Sequence, residues 1–369
     1  MVRFPGEFEK HSATLMIWPV RPGSWGKDPS AAQKAFINIF EAILKSEDLY
    51  VLFNNDEPQK TIDDLSSSFK DLPYRFVPLR IDSNDSWARD VGPTFVLNDN
   101  ETEIMGINWR FNAWGGDYNG LYQDYDQDNK VASSFCNKIG KVSIDRQDFI
   151  LEGGSIATDG EGTLMVTETC LLSPGRNSSL TRENIEEYLC NALGAEKVLW
   201  LPCGIYNDET DEHVDNVAAF AGPAKIVLAW TDNIDDPQYK MSKACYDYLS
   251  TVTDCKGRKI EIIKLPIPDI PVLIEKKDME NLVFEEGEDN REEGERLAAS
   301  YVNYYYTNDS VLIPQFGGDN LESDRRAVEI MESISDGRKV VPIYARDILV
   351  GGGNIHCITQ QIPEIKKEG

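Results

Sequence analysis

The chain has 369 residues, 41% of them apolar and 10% aromatic, with 63 acidic against 37 basic side chains and a formal charge of −26. This composition supports a substantial core and excludes a disordered polypeptide; the acidity disfavours a polyanionic nucleic-acid partner and would draw a small cation into an acidic cleft, although it also serves solubility. No apolar run reaches the roughly 20 residues that span a bilayer, the opening "MVRFPGEFEKHS" lacks a secretory apolar segment, and seven scattered cysteines show no C-x-x-C pair, so a cytoplasmic protein with reduced thiols is expected.

Taken in chain order, apolar β-branched runs alternate with amphipathic helical stretches. "TLMIWP" leads through "SAAQKAFINIFEAILKS" to "LYVLFN", after which an additional helix "PQKTIDDLSSSF" and strand "YRFVPLR" intervene. "TEIMGINWRF" leads through "QDNKVASSFCNKIG" to "DFIL", and "GTLMVTE" through "RENIEEYLCNAL" to "KVLWLP". "KIVLAWTD" leads through "QYKMSKACYDYLSTV" to "KIEIIKLP", and "SVLIPQF" through "SDRRAVEIMESI" to "KVVPIY". The last four units are each preceded by a short alternating strand: "VGPTFVLN", "SIATDG", "HVDNVAAFA" and "YVNYYYTN". The first unit lacks one, and "NIHCIT" near the far end of the chain would supply it.

Five ββαβ units closed by the terminal segments predict an α/β propeller with pseudo-fivefold symmetry, a single domain over residues 1–369. The alternative, an open nucleotide-binding sheet, lacks both a G-x-G-x-x-G after an early strand and a Walker sequence. "EEGEDNREEGER", from Glu285 to Arg296, reads as an acidic surface loop.

Polar residues of catalytic type stand at or just before the first strand of successive units. Asp90 ends "DSWARD", Glu152 opens "EGGS", His213 and Asp215 lie in "HVDN", and Cys357 lies in "GGGNIHC"; residues 90, 152 and 213 are 62 and 61 positions apart. Equivalent positions of a ring converge on its axis. A buried structural cysteine, a hydrogen-bonded histidine or turn glycines would each account for one residue, but not for the recurrence. On a strand, His213 and Asp215 share a face while His356 and Cys357 oppose each other, so His213 rather than adjacent His356 is the expected partner of the thiol.

The surroundings of Cys357 match neither the papain-like nor the caspase-like pattern. Three carboxylates about one thiol oppose its ionisation unless a cation binds. A guanidinium resolves the conflict: it is planar, pairs with carboxylates in bidentate fashion, and offers an electrophilic carbon to a thiolate.

The strings "DSWARDVGPTF", "FNAWGG", "FILEGGSI", "DETDEHVDN" and "GGGNIHCITQQIP" closely resemble the agmatine deiminases, guanidino-group-modifying enzymes of the pentein fold, and the resemblance spans nearly the whole chain. It implies hydrolysis of agmatine to N-carbamoylputrescine and ammonia through an amidino-cysteine, without metal or organic cofactor, by a homodimer or homotetramer. It further implies that Cys357 is the nucleophile and His213 the general acid and then base. Asp90 and Asp215 would grip the guanidinium, and Glu152 would contact substrate and orient His213. Trp87 and Trp114 are candidates for packing on the butyl chain or facing the cation, and Glu209 for binding the ammonium. Where many members of the family carry glycine before the histidine, this chain has Glu212, a departure that bears on local loop shape. Alternatives are a deiminase of free or peptidyl arginine on the same fold, or a propeller that only binds polyamines.

Overall fold

A computed structural model describes residues 2–288 and 291–366. All five strand–helix–strand units are present. They are His11–Ile17, Ser30–Ile43 and Asp48–Phe53; Ile104–Arg110, Asp128–Lys138 and Val142–Ile150; and Thr163–Thr167, Arg182–Leu193 and Lys197–Leu201. The remaining two are Lys225–Trp230, Pro237–Leu249 and Glu261–Pro266, then Ser310–Gln315, Leu321–Ile334 and Lys339–Tyr344. Within each unit the two strands pair in parallel, as a helical crossover requires.

A further strand lies antiparallel on the outer side of each leading strand: Gln360–Pro363, Thr94–Asn98, Ala157–Thr158, Ala218–Gly222 and Tyr305–Tyr306, respectively. The described residues thus form five separate small sheets of one internal order. Two are extended: Phe76–Arg80 adds to Asp48–Phe53 after the helix Gln59–Phe69, and Val2–Arg3 pairs with Thr94–Asn98.

The helices bury one stripe each. In Ser30–Ile43 the buried positions include Ala32, Ala35, Phe36, Ile39, Phe40 and Ile43, the spacing of a 3.6-residue period. Phe36 packs edge-on against Phe40, and full burial of side chains of this size contributes about 1.5–3 kcal/mol each. The helix Arg182–Leu193 is delimited by a capping box at Thr181 and by left-handed Gly194. Among the described residues no helix is long and apolar enough to cross a membrane.

Several boundaries differ from expectation, and the differences share a cause. "NIHCIT" is not a strand: residues 355–358 form a turn, and the strand that pairs with His11–Ile17 begins at Gln360. Backbone groups of this turn bond elsewhere than to a ladder, Arg89 N–H to the Cys357 carbonyl at 3.1 Å and His356 N–H to the Asn303 side chain at 2.9 Å. "VGPTFVLN" and "HVDNVAAFA" likewise open on one-turn helices, Ala88–Val91 and Val214–Val217, and "SIATDG" follows the 3₁₀ turn Gly153–Ser155. His213 and Asp215 therefore do not share a strand face. A helical turn feeding the first strand is the element that carries the polar residues. The segment from Glu285 to Arg296, whose residues 289 and 290 lie outside the described residues, is not merely a surface loop. Its Arg291 is buried against Glu209, and Glu288 pairs with Arg21.

Candidate active site

Four short turns from different sheets meet at one buried locus. Asp90 stands in Ala88–Val91, Glu152 immediately before Gly153–Ser155, His213 and Asp215 at the start of Val214–Val217, and Cys357 in the turn of residues 355–358. His213 lies between two carboxylates, Nδ1 3.9 Å from Asp90 Oδ1 and Nε2 3.5 Å from Glu152 Oε2. Gly154 makes this convergence possible. Its N–H donates to Asp90 Oδ1 at 2.8 Å, and a Cβ there would stand 2.6 Å from His213 Nδ1 and 2.9 Å from both Asp215 Oδ2 and Asp90 Oδ1. No side chain fits in that space.

The thiol of Cys357 belongs to a residue only 7% exposed, its Sγ 3.8 Å from Asp215 Oδ2. Asn303, absent from the residues expected from sequence, donates its side-chain amide to Sγ at 3.4 Å and to the Asp215 carbonyl at 3.3 Å. It stands just ahead of Tyr305–Tyr306, the place in its own sheet that the other site residues occupy in theirs; the polar residue within "YVNYYYTN" was the available signal.

His356 does not bond to Cys357. Its Nδ1 meets Asp215 Oδ2 at 2.8 Å and its Nε2 meets Glu7 Oε2 at 2.6 Å, while Glu7 also accepts from Arg89 at 2.9 Å. The expected separation of His356 from the thiol holds, but its cause is a turn and not the alternation of a strand. Arg176 is a second unanticipated member, its Nε 2.8 Å from Glu152 Oε1 with both side chains wholly buried. Arg176 also donates to the carbonyls of Trp114 and Thr210.

These surroundings set the protonation states. Burial pushes Asp90 up to about 6; His213 opposes the rise, and Asp215 and Glu152 reinforce it. Glu152 feels the same burial, yet the Arg176 guanidinium holds it below the usual carboxylate range. His213 is raised well above the ordinary imidazole value: burial works against its charge, but Asp90 and Glu152 outweigh it. The Cys357 thiol is pushed well up, first by burial and then by Asp215 and Asp90. Glu7 is lowered to about 2 because His356 and Arg89 overcome its burial. The unliganded site is therefore a thiol beside carboxylates, a state that an added cation would shift toward thiolate.

Cys357 and His213 line one cavity of about 80 Å³ without bonding to each other, and Asp90, Trp87, Trp114 and Glu209 line it too. Trp114 donates from Nε1 to Asp90 Oδ2 at 2.9 Å and holds a left-handed φ of 63°, a conformation bulky residues adopt only when their surroundings impose it. Trp87 is anchored through Asp85 at 3.0 Å and packs so close to Gly353 that a Cβ there would be 2.5 Å from the indole. Glu209 is on the wall but already engaged, receiving both terminal nitrogens of Arg291 at 2.6 and 2.8 Å. Glu152, Cys170 and His213 have ligand-type atoms within 4.8 Å of one another. They do not suit a metal ion, because Arg176 already supplies the cation to Glu152 and burial keeps the Cys170 thiol protonated. Glu212 has a φ of 68°, which explains why glycine suits this position. Its carboxylate compensates by accepting from Gly204 N–H at 2.6 Å and Thr169 Oγ1 at 3.2 Å.

Residues 3–363 match the family model of the Porphyromonas-type peptidyl-arginine deiminases. A Selenomonas ruminantium protein assigned as an agmatine deiminase is 52% identical over 98% of this chain and 96% of its own. The solved agmatine deiminase of Enterococcus faecalis is 41% identical over 98% of this chain and 96% of that one, with a TM-score of 0.92. A crystal structure assigned as a peptidyl-arginine deiminase is more distant, 28% identical over 98% and 99% of the two chains with a TM-score of 0.82. The chain belongs to the Porphyromonas-type peptidyl-arginine deiminase family, and relatives 52%, 46% and 41% identical to it carry the name agmatine deiminase.

Proposed function

We propose that this protein hydrolyses agmatine to N-carbamoylputrescine and ammonia. The observation that carries the reading is a buried thiol 3.8 Å from Asp215, in one cavity with Asp90, His213 and two tryptophans. The guanidinium sits between Asp90 and Asp215, and its charge favours loss of the Cys357 proton to solvent. The thiolate attacks the guanidino carbon; His213, as imidazolium, gives its proton to the departing nitrogen, and ammonia leaves a cationic thiouronium on Cys357. Neutral His213 then takes a proton from water as the oxygen bonds to carbon. Collapse of the adduct breaks the C–S bond, frees the ureido product and regenerates the thiolate; the remaining hydroxyl proton passes to solvent, where the ammonia released earlier takes one up as ammonium. Glu152, fixed by Arg176, orients His213.

Agmatine is favoured over arginine because the two arginines on the cavity wall, Arg21 and Arg291, are each paired with a glutamate. Among the described residues of that wall, no unpaired cation remains for an α-carboxylate. The name agmatine deiminase carried by relatives 52% and 46% identical points the same way. The five sheets of like order, with the last described strand paired to His11–Ile17, support a closed five-bladed propeller forming one catalytic domain. A homodimeric or homotetrameric cytoplasmic enzyme completes the reading.

Incubation of purified protein with agmatine, arginine and a peptidyl arginine, with ammonia and ureido products measured, tests it. Turnover of agmatine at a kcat/KM at least 100-fold above the other two is expected. Preference for either arginine substrate overturns the assignment, and polyamine binding with no turnover of any substrate would favour a non-catalytic propeller.

A further inference from the structure

Behind the site lies a second cavity. It measures about 40 Å³, and Asp215 and His356 form part of its wall together with Glu7, Tyr304, Ala157 and Ala219. Asp215 stands on this rear wall with Oδ2 3.8 Å from the thiol of Cys357, which lines the front cavity. Asp215, a residue of the rear wall only 4% exposed, has one carboxylate oxygen, Oδ1, with no hydrogen-bond partner in the protein. Buried oxygens of this kind are costly unless something small and polar meets them. A space of this size, with several polar partners, holds about three water molecules.

The proposed chemistry gives such water a purpose. Substrate entry empties the front cavity of solvent, and once the thiouronium has formed the alkyl chain stays covalently attached and fills the way in. Hydrolysis nonetheless needs one water per turnover at the guanidino carbon, delivered while the mouth is stoppered. We infer that the rear cavity is the store of hydrolytic water, which reaches the intermediate past the free oxygen of Asp215. This inference rests on the covalent deiminase reading. The water gives its oxygen to the ureido carbonyl and a proton to His213, and bulk solvent refills the cavity between turnovers.

The test narrows the store without touching the reacting groups. Ala219→Leu and Ala157→Leu, on two different strands, each place an isobutyl group in the rear cavity; Ala219→Ser is the small polar control. Steady-state kinetics on agmatine are combined with mass spectrometry of acid-quenched enzyme, reading the amidino adduct on Cys357. The expected result for either leucine variant is a kcat lowered at least fivefold, kcat/KM within twofold of the parent, and a larger adduct-bearing fraction, with the serine control unchanged. This pattern isolates the water-dependent step, because kcat/KM ends at ammonia release.

Folded leucine variants with parental kcat, or with kcat and kcat/KM falling together and no adduct build-up, overturn the inference. Failure of the underlying reading looks different: no adduct would form in any of the proteins, and Cys357→Ala would still turn over agmatine.

Discussion

His213 and His356 have similar charges around them and opposite mechanics. Each lies between two carboxylates, but His356 is gripped at 2.8 and 2.6 Å whereas His213 stands off at 3.9 and 3.5 Å, with Nε2 lacking a hydrogen bond. A ring bonded tightly at both nitrogens is a strut: it holds the Asp215 carboxylate in place against Glu7. A ring held mainly by field rather than by contact keeps a nitrogen free to give up a proton and retrieve one. The proposed chemistry thus asks rigidity of His356 and proton transfer of His213, the same residue type in two settings.

Substitutions sharpen or break this contrast. Cys357→Ala sets the scale, with a loss of turnover on the order of 10⁴-fold or more in an ammonia-release assay. His213→Asn should come next, lowering kcat by about 10²–10⁴-fold as expected for removal of an acid–base group. His356→Asn should cost less, about 10–100-fold, the effect of losing a group that orients another. Equal losses for the two histidines would abolish the distinction, as would a His213→Asn enzyme with a parental pH profile.

Asp90 gives a pH-dependent test. Its folded value of about 6 lies above the ordinary 3.8, so the folded state holds this proton more tightly than the unfolded chain does. The unliganded protein should therefore lose stability as pH rises from about 4 to about 6, by about 1.4 kcal/mol for every pH unit crossed. Agmatine binds the ionised form, so its stabilisation should grow across the same window. Thermal unfolding at pH 4 and pH 6, with and without agmatine, measures both effects; Asp90→Asn should remove the agmatine-dependent part and reduce the slope of the unliganded protein, to which Asp128, raised to about 7, adds in the same direction. The smallest change is expected from Glu212→Gly. Relief of a left-handed φ, worth about 1 kcal/mol, is offset by loss of the carboxylate's bonds to Gly204 and Thr169, leaving the midpoint within a few degrees.

The strand and helix grammar was legible because burial imposes a period, as Phe36, Ile39, Phe40 and Ile43 show in their helix. The one-turn helices were not: four residues are too few to display a period, and Ala88–Val91 or Val214–Val217 read as parts of the strands they precede. Polar residues recurring once per unit exposed Asp90, Glu152, His213, Asp215 and Cys357, and the structure brings these together. Asn303 obeyed the same rule but lay among tyrosines in a run that looked like a plain strand. Glu7 and Arg176 obey no repeat, since one precedes every unit and the other sits in the irregular "SPGRNS"; only folding reveals what they touch.

Cys357 precedes by three residues the strand Gln360–Pro363, whose partner, His11–Ile17, leaves the ribosome long before it. N-terminal segments of a growing chain fold first, and joining ends this distant in sequence is slow because of the loop-closure entropy involved. The nascent polypeptide therefore carries Asp90, Glu152, His213 and Asp215 long before it has Cys357, the proposed nucleophile. Activity should arise in a single event, when Gln360–Pro363 docks and the thiol is brought into the site already buried, so that chains made only as far as His213 hold no reactive centre.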